Sequence, residues 1–152
     1  MELARPARAD DRQACTRLLS QALVAAESMR GGAALVGDAT TVTLLERWTQ
    51  PGDTAHLVVG EYEGVVVGLL AASTAQGPRG VTTGLIECCY VETGARGVGV
   101  GAALMDAGVD WCSERGCDTV DALALPGDRT TKQRLEAAGF TARLLTLSRR
   151  LD

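Results

Sequence analysis

Three glycines alternate with valines directly after an arginine near the middle of the chain. Arg96 is followed by Gly97, Gly99 and Gly101, and an apolar run ends shortly before them. Because glycine leaves the backbone bare, the free amide groups at the start of the next helix can approach a large anion, which the helix dipole also favours. The spacing therefore predicts a diphosphate-binding loop that opens a helix running to about Arg115.

Two other phosphate-binding patterns fit this segment less well. A Walker loop requires a lysine after its last glycine, and Lys132, the only lysine of the chain, lies far downstream. A dinucleotide fingerprint can be placed on Gly97, Gly99 and Ala102, with a later aspartate as its acidic residue. However, a linker separates the strand from the first glycine, and too few βα units follow for a Rossmann sheet. That alternative predicts binding of NAD(H) and none of coenzyme A.

The pattern Arg96-x-x-Gly99-x-Gly101 resembles the coenzyme A pyrophosphate loop of the GNAT superfamily of acyl-CoA-dependent N-acyltransferases. A second segment, residues 128–140, is similar to the last helix of that family, which ends in a Gly-Phe pair before the final strand. The two motifs have the order and separation found in the family, whereas the N-terminal half matches only in its pattern of elements. By this resemblance, the chain is identified as a member of the superfamily.

The resemblance implies that acetyl-CoA is the cosubstrate, with no metal ion, and it assigns residues to coenzyme A. The strand segment before the loop would align the pantetheine and polarise the thioester through its N–H groups. Asp128 stands where the family often has an asparagine, and it also suits a helix N-cap. The residues expected to bind coenzyme A are Cys89, Tyr90, Val91, Arg96, Gly97, Val98, Gly99, Val100, Gly101, Ala102, Asp128 and Lys132.

Glu87 is the candidate general base, because it lies on the same predicted strand as Cys89 and Val91. With the two-residue period of a strand, Glu87 is expected to share a face with both residues. A carboxylate in an apolar strand is costly unless it is hydrogen-bonded or functional. A structural or substrate-positioning role is the alternative for this residue.

The sequence shows no general acid for the departing thiolate. Many GNAT members carry a tyrosine on the last helix, and the matching position here is Leu135. Its neighbours Arg134 and Glu136 are expected to point in the wrong direction, and Tyr90 is expected to face away from Glu87. The acid is then water, another residue, or missing.

Composition argues against several classes of protein. Hydrophobic residues make up 46% and aromatic residues 3% of the 152 residues, and the net charge is −4. Acidity and the lack of interleaved aromatic and basic residues argue against a nucleic-acid surface, and acidity slightly favours a cationic partner. No apolar run is long enough to cross a membrane, and the first residues lack the apolar region of a signal peptide.

The five cysteines include no C-x-x-C pair, which indicates reduced thiols and no zinc site. We therefore expect residues 1–152 to form a single cytoplasmic acyltransferase domain.

Hydrophobic periodicity predicts the element order β-α-α-β-β-β-α-β-α-β. The predicted strands cover residues 3–6, 55–62, 65–73, a segment carrying Glu87, 117–125 and 140–149. The predicted helices cover residues 10–28, 40–50, 100–115 and 129–138. This pattern indicates an α/β fold with a mixed, mostly antiparallel central sheet and helices on both faces, and the GNAT resemblance implies the same arrangement.

The predicted activity is transfer of an acetyl group from acetyl-CoA to a primary amine by direct attack. The acceptor is a small molecule, a peptide N-terminus or a lysine, and its specificity is expected to depend on residues 29–41. The alternative is a catalytically weak acyl-CoA-binding sensor or regulator, motivated by Leu135 and Asp128 in place of the family's tyrosine and asparagine. A homodimer is a further expectation from the family.

Overall fold

Five strands in the described part of the chain form one sheet whose spatial order follows the sequence. The computed structural model describes residues 2–152, with side chains from Ala4 onward. The first four strands are antiparallel to their neighbours, and the fifth joins the fourth in parallel. The strands are β1 (Glu2–Pro6), β2 (Ala55–Tyr62), β3 (Val65–Gln76), β4 (Thr82–Val91) and β5 (Thr119–Ala122). The predicted mixed, mostly antiparallel sheet is confirmed.

Helices cover both faces of the sheet, as the sequence predicts. One face carries α1 (Arg12–Glu27) and α3 (Thr41–Trp48), and the other carries α4 (Val100–Glu114) and α5 (Arg129–Ala137). A short helix, α2 (Gly32–Val36), lies in the glycine-rich segment where the sequence shows no clear period. Among the helices that the structure describes, none combines the length and hydropathy needed to span a membrane.

Two separate cores lie on the two faces of the sheet. In β2, Leu57 and Val59 pack towards α1 and α3, whereas Val58 between them packs towards α4. Trp48 and Trp111 are buried in these two cores, at 3% and 5% exposure. The near-continuous apolar runs of β2 and β3 follow from this burial on both sides of the sheet.

The C-terminal segment differs from the prediction. The prediction of a closing strand over residues 140–149 is wrong, because residues 140–152 have no regular secondary structure. Arg143 pairs with Asp121 of β5, but β5 is only four residues long. Strand formation depends on packing against a partner more than on an alternating pattern alone. The leucines of this segment are exposed: Leu144, Leu145, Leu147 and Leu151.

The start of the chain is fixed by a charged cluster rather than by a helix cap. Aspartate is a common helix N-cap, but neither Asp10 nor Asp11 caps α1 through its side chain. The Asp11 carboxylate instead accepts two hydrogen bonds from Arg5, at 2.7 and 2.9 Å, and one from the Arg8 N–H at 2.7 Å. Glu61 binds the same guanidinium. Hydrogen bonds from Arg5 are the main reason that the pKa of Asp11 falls from 3.8 to about 2.

Replacing Asp11 by asparagine should lower the free energy of unfolding by about 2 kcal/mol at pH 7. Because the folded pKa lies below the unfolded one, this contribution is complete above about pH 5 and is lost as the pH falls through the folded pKa of about 2. Urea denaturation at several pH values measures the difference. Asp10→Asn is the control. The Asp10 side chain is 79% exposed, and its ion pair with Arg8 is long, at 3.7 Å, so its loss should change stability little. An Asp11→Asn cost that did not change with pH would contradict the assignment.

Candidate active site

A β-bulge on β4 shapes the site. Ala71 of β3 lies opposite Cys88 and Ala72 lies opposite Ile86, so Glu87 is an extra residue on β4. Parallel pairing with β5 also ends at Ile86. The rest of β4 therefore diverges from β5 and leaves one edge of its backbone without a strand partner.

Two arginine side chains hydrogen-bond to this open edge of β4. Arg96 Nε donates to the Val91 carbonyl at 3.0 Å, and Arg134 Nη1 donates to the Cys89 carbonyl at 3.4 Å. The N–H and C=O of one residue in an antiparallel strand point to the same side. The N–H groups of Cys89 and Val91 therefore also face away from β3, at two of the three residues that the GNAT resemblance assigns to the pantetheine.

The glycine loop leads from β4 into α4, as predicted. Gly97 and Gly99 have left-handed backbones, with φ of 87° and 93°, and Gly99 is the N-cap of α4. Val100 is buried at 1% exposure and anchors the first turn of the helix in the core. The first amide groups of α4 have no partners within the helix, and the loop glycines leave space around them. This end of α4 therefore has the shape and polarity of an anion site.

A cavity of about 340 Å³ runs along the open edge of β4 as far as Arg96, and neither residues 97–102 nor Lys132 line it. Six predicted site residues line it: Glu87, Cys89, Tyr90, Val91, Arg96 and Asp128. Its opposite wall is apolar and comes from α1 and the segment after it: Ala22, Ala25, Ala26, Met29 and Leu35. A larger, shallow depression at the start of α1 contains none of the predicted site residues.

Glu87 lies on the opposite face of the sheet from Cys89 and Val91. Its carboxylate accepts hydrogen bonds from Arg47 at 2.9 and 2.5 Å and from Trp48 Nε1 at 3.3 Å, both on α3. Cys89 and Val91 pack in the other core, beside α4. The predicted shared face is wrong, because the extra residue of the bulge shifts the alternation of the strand by one position.

The Glu87 carboxylate is ionised at neutral pH. Burial raises its pKa, but hydrogen bonds from Arg47, Ser73 and Trp48, with the charge of Arg47, bring the pKa below its ordinary value of 4.5. A carboxylate whose pKa is lowered is a weaker base than an ordinary glutamate and keeps its negative charge. It is therefore suited to attract a cationic amine and to orient water beside it.

Tyr90 lies on the same face as Glu87, so the prediction that it faces away is wrong for the same reason. Its hydroxyl donates a hydrogen bond to Gln21 Oε1 of α1 at 3.1 Å, and its ring packs against the core beneath α1 and α3. The backbone of Tyr90 belongs to the strand segment expected to align the pantetheine, while its side chain helps to fix α1 against β4.

The remaining predicted residues lie on α5. Asp128 caps this helix by accepting hydrogen bonds from the Thr131 N–H at 3.0 Å and the Thr131 hydroxyl at 2.6 Å. Lys132 is exposed to solvent. Leu135, at the position of the family's tyrosine, is 8% exposed and packs in the core beside α4.

Arg134 is the residue of the site that sequence reasoning missed. It was expected to point in the wrong direction, but its guanidinium lies in the cavity beside Cys89 and Gly101. A Cβ built on Gly101 would lie 2.5 Å from Arg134 Nε. The sequence feature that could have indicated Arg134 is its position next to Leu135. When a helix packs on the edge of a sheet, one residue can point into the core while the adjacent residue points into the neighbouring cavity.

The described residues fit acetyl-CoA. The outward N–H groups of Cys89 and Val91 on the open edge of β4 can donate to an extended amide chain, and the loop before α4 offers amide groups to a diphosphate. Burial raises the pKa of Cys88 to about 12, so its thiol is protonated and is no activated nucleophile. Among the described residues, no group of His, Cys, Asp or Glu is arranged to hold a metal ion.

Comparison with known proteins agrees with this geometry. The family model described as "Acetyltransferase (GNAT) family" matches residues 27–143. The chain therefore belongs to the GNAT acetyltransferase family. No curated protein sequence matches it significantly.

Solved structures with the same fold include several N-acetyltransferases. Ribosomal-protein-alanine N-acetyltransferase from Brucella melitensis biovar Abortus 2308 is 18% identical, with a TM-score of 0.71 and 100% of both chains covered. Glucosamine-6-phosphate N-acetyltransferase from Arabidopsis thaliana is 20% identical, with a TM-score of 0.71 over 100% of this chain and 99% of that one. AAC(6')-Iy, solved with the bisubstrate analogue CoA-S-monomethyl-acetylneamine, is 18% identical, with a TM-score of 0.73 and 99% of both chains covered. At these identities the likeness shows the fold.

Proposed function

We propose that the protein is an N-acetyltransferase that moves an acetyl group from acetyl-CoA to a primary amine by direct attack. The carrying observation is the open edge of β4, where the carbonyls of Cys89 and Val91 face a cavity beside the glycine loop of α4. An extended thioester needs backbone partners along its length and an anion site at its far end. The cavity along β4 offers the first, and the glycine loop that follows Arg96 offers the second.

Each part of the site has a role in this proposal. Acetyl-CoA supplies an activated acetyl group. The backbone of Cys89, Tyr90 and Val91 aligns and polarises the thioester, and residues 96–102 bind the diphosphate. Asp128 and Lys132 contact coenzyme A from α5. Holding the two reactants together can lower the barrier by roughly 7–11 kcal/mol, so the protein needs no covalent intermediate.

Glu87 acts at the acceptor end. Its ionised carboxylate attracts the amine and orients a water that takes the amine's proton, while Arg47 and Trp48 hold it in place. The apolar wall formed by Ala22, Ala25 and neighbouring residues fits an amine carried on an apolar group, in a small molecule or a peptide. An amine screen that compares apolar with polyhydroxylated amines tests this preference.

Thermal unfolding with and without acetyl-CoA, with NADH in parallel, is the first test. A ligand present at about a hundred times its dissociation constant stabilises the folded state by about 2.7 kcal/mol. We expect acetyl-CoA to raise the midpoint and NADH to leave it unchanged. If NADH alone stabilised the protein, the loop would bind a dinucleotide and the proposal would be wrong.

A catalytically weak acyl-CoA sensor is the second candidate, favoured by the buried Leu135 at the position of the family's tyrosine. Both candidates bind acetyl-CoA, but only the enzyme releases free CoA when amines are supplied.

The cellular compartment and the oligomeric state are also part of the proposal. The free cysteines fit the reducing cytoplasm. Size-exclusion chromatography with light scattering tests the homodimer expected from the family.

A further inference from the structure

Arg134 is a half-buried cation that lies across the cavity without a carboxylate partner. Among the ion pairs of the described residues, none includes Arg134. Its Nη1 instead contacts the carbonyl of Cys89 at 3.4 Å and the sulfur of Cys89 at 3.8 Å. A cation paired only with neutral groups keeps most of its charge available for a ligand.

The fold holds the guanidinium in this position. Leu135, the next residue, is buried beside α4, and Asp128 caps the start of the same helix. On the other side, Gly101 leaves the space that Arg134 occupies, since a Cβ there would lie 2.5 Å from Nε and 3.0 Å from Cζ. Two neighbouring elements, α4 and α5, are therefore fitted around this one side chain.

We propose that Arg134 stabilises the thiolate of coenzyme A as it leaves, in place of a proton donor. This inference depends on the acetyltransferase function proposed above. Arg134 lies beside Cys89, whose backbone is assigned to the thioester, and one residue from the position of the family's tyrosine. Arginine cannot give up its proton at ordinary pH, but it can pair with an anion through charge-assisted hydrogen bonds.

Acetyl transfer can be completed without a general acid that protonates the leaving sulfur. The nitrogen of the amine forms a bond to the acetyl carbon, and the carbon–sulfur bond breaks. Sulfur leaves with the bonding electron pair as a thiolate next to the Arg134 guanidinium, and the nitrogen's proton passes to water beside Glu87. The thiolate later takes a proton from solvent. Charge stabilisation at the leaving group therefore replaces protonation.

The thiol pKa of bound coenzyme A tests the role of Arg134 without any acceptor amine. The thiolate absorbs in the ultraviolet, so a pH titration of the complex gives this pKa after subtraction of the complex with desulfo-CoA. We expect the bound thiol to have a pKa at least one unit below that of free CoA, a tenfold change in its ionisation constant. Arg134→Met should remove this shift, and Arg134→Lys should retain part of it.

The controls separate this role from general effects. Arg12→Met removes an exposed cation at the start of α1 and should leave the thiol pKa shifted. The other charged groups lining the cavity, Glu87, Arg96 and Asp128, are the same in parent and variants. A thiol that stays shifted in Arg134→Met would overturn the inference. Equal weakening of CoA and desulfo-CoA binding, with the shift kept, would also overturn it, because Arg134 would then serve another part of the ligand.

The outcome also distinguishes this inference from the proposed function. If the parent protein binds no CoA, then the proposed acetyltransferase function fails and the inference fails with it. If the parent binds CoA and the thiol pKa does not depend on Arg134, only the thiolate role fails.

Discussion

Replacing Gly99 by aspartate should abolish the stabilisation by acetyl-CoA while leaving the protein folded. Gly99 is the left-handed N-cap of α4, next to the amide groups proposed to bind the diphosphate. The new carboxylate would occupy that space and repel the diphosphate. We expect CoA affinity to fall by about 100-fold or more, equivalent to about 2.7 kcal/mol of binding free energy. Isothermal titration calorimetry with CoA measures the loss directly.

Gly116→Asp is the matched control. Gly116 lies just beyond the other end of α4, has a φ of 77°, and a Cβ there would meet nothing within 4 Å. A non-glycine residue in the left-handed region costs roughly 1–2 kcal/mol, so both variants should lose similar stability. Only Gly99→Asp should lose CoA binding. Unchanged affinity in a folded Gly99→Asp variant would show that the loop does not bind the diphosphate.

Replacing Glu87 by glutamine should lower kcat/KM for the amine by about 100-fold, the lower end of the usual contribution of acid–base catalysis, because the water that takes the amine's proton would lose the carboxylate that orients it. The effect should be largest at low pH, where more of the amine is protonated and needs a proton acceptor. Because the folded pKa of Glu87 is below 4.5, the parent keeps this carboxylate ionised from pH 5 upward. CoA release measured between pH 5.5 and 9 gives the two profiles.

Asp121→Asn is the control for losing an ion pair. Asp121 pairs with Arg143 much as Glu87 pairs with Arg47, and its pKa is likewise lowered, chiefly by the hydrogen bond from its arginine. It should change the pH–rate profile little. If Glu87→Gln showed the same profile as the parent, Glu87 would have no part in proton transfer, and its bond to Arg47 would be structural.

The sequence predicts most of the fold because local patterns decide most of its elements. The turn Glu63-Gly64 joins β2 to β3, and both residues have the positive φ, 50° and 79°, that a tight hairpin turn requires. The glycine loop and α4 were also predictable, because the glycines, the arginine and the apolar stripe of the helix are all local. By contrast, the pairing of residues 140–149 depends on a partner edge elsewhere, and the predicted strand there is wrong.

The arrangement within the site was less predictable. A bulge inserts one residue without changing the apolar character of β4, so the sequence gives no sign that Glu87 and Tyr90 face α1 and α3. The direction of Arg134 depends on how α5 is rotated against the sheet and on the space left by Gly101. Such features follow from tertiary packing, and no short pattern in one sequence contains them.

The strands lie in the sheet in the same order as in the chain, and this order determines which strand pairs can form first during folding. β2, β3 and β4 form a meander with short connections, so their contacts have low contact order and can form early. β1 must close a long loop to reach β2, and β5 must wait for the α4 crossover. Pulse-labelled hydrogen exchange during refolding should therefore protect the amides of β3 before those of β1. The binding cleft, which needs β4 and α4 together, would be completed in the later stage, so acetyl-CoA should slow unfolding more than it speeds folding.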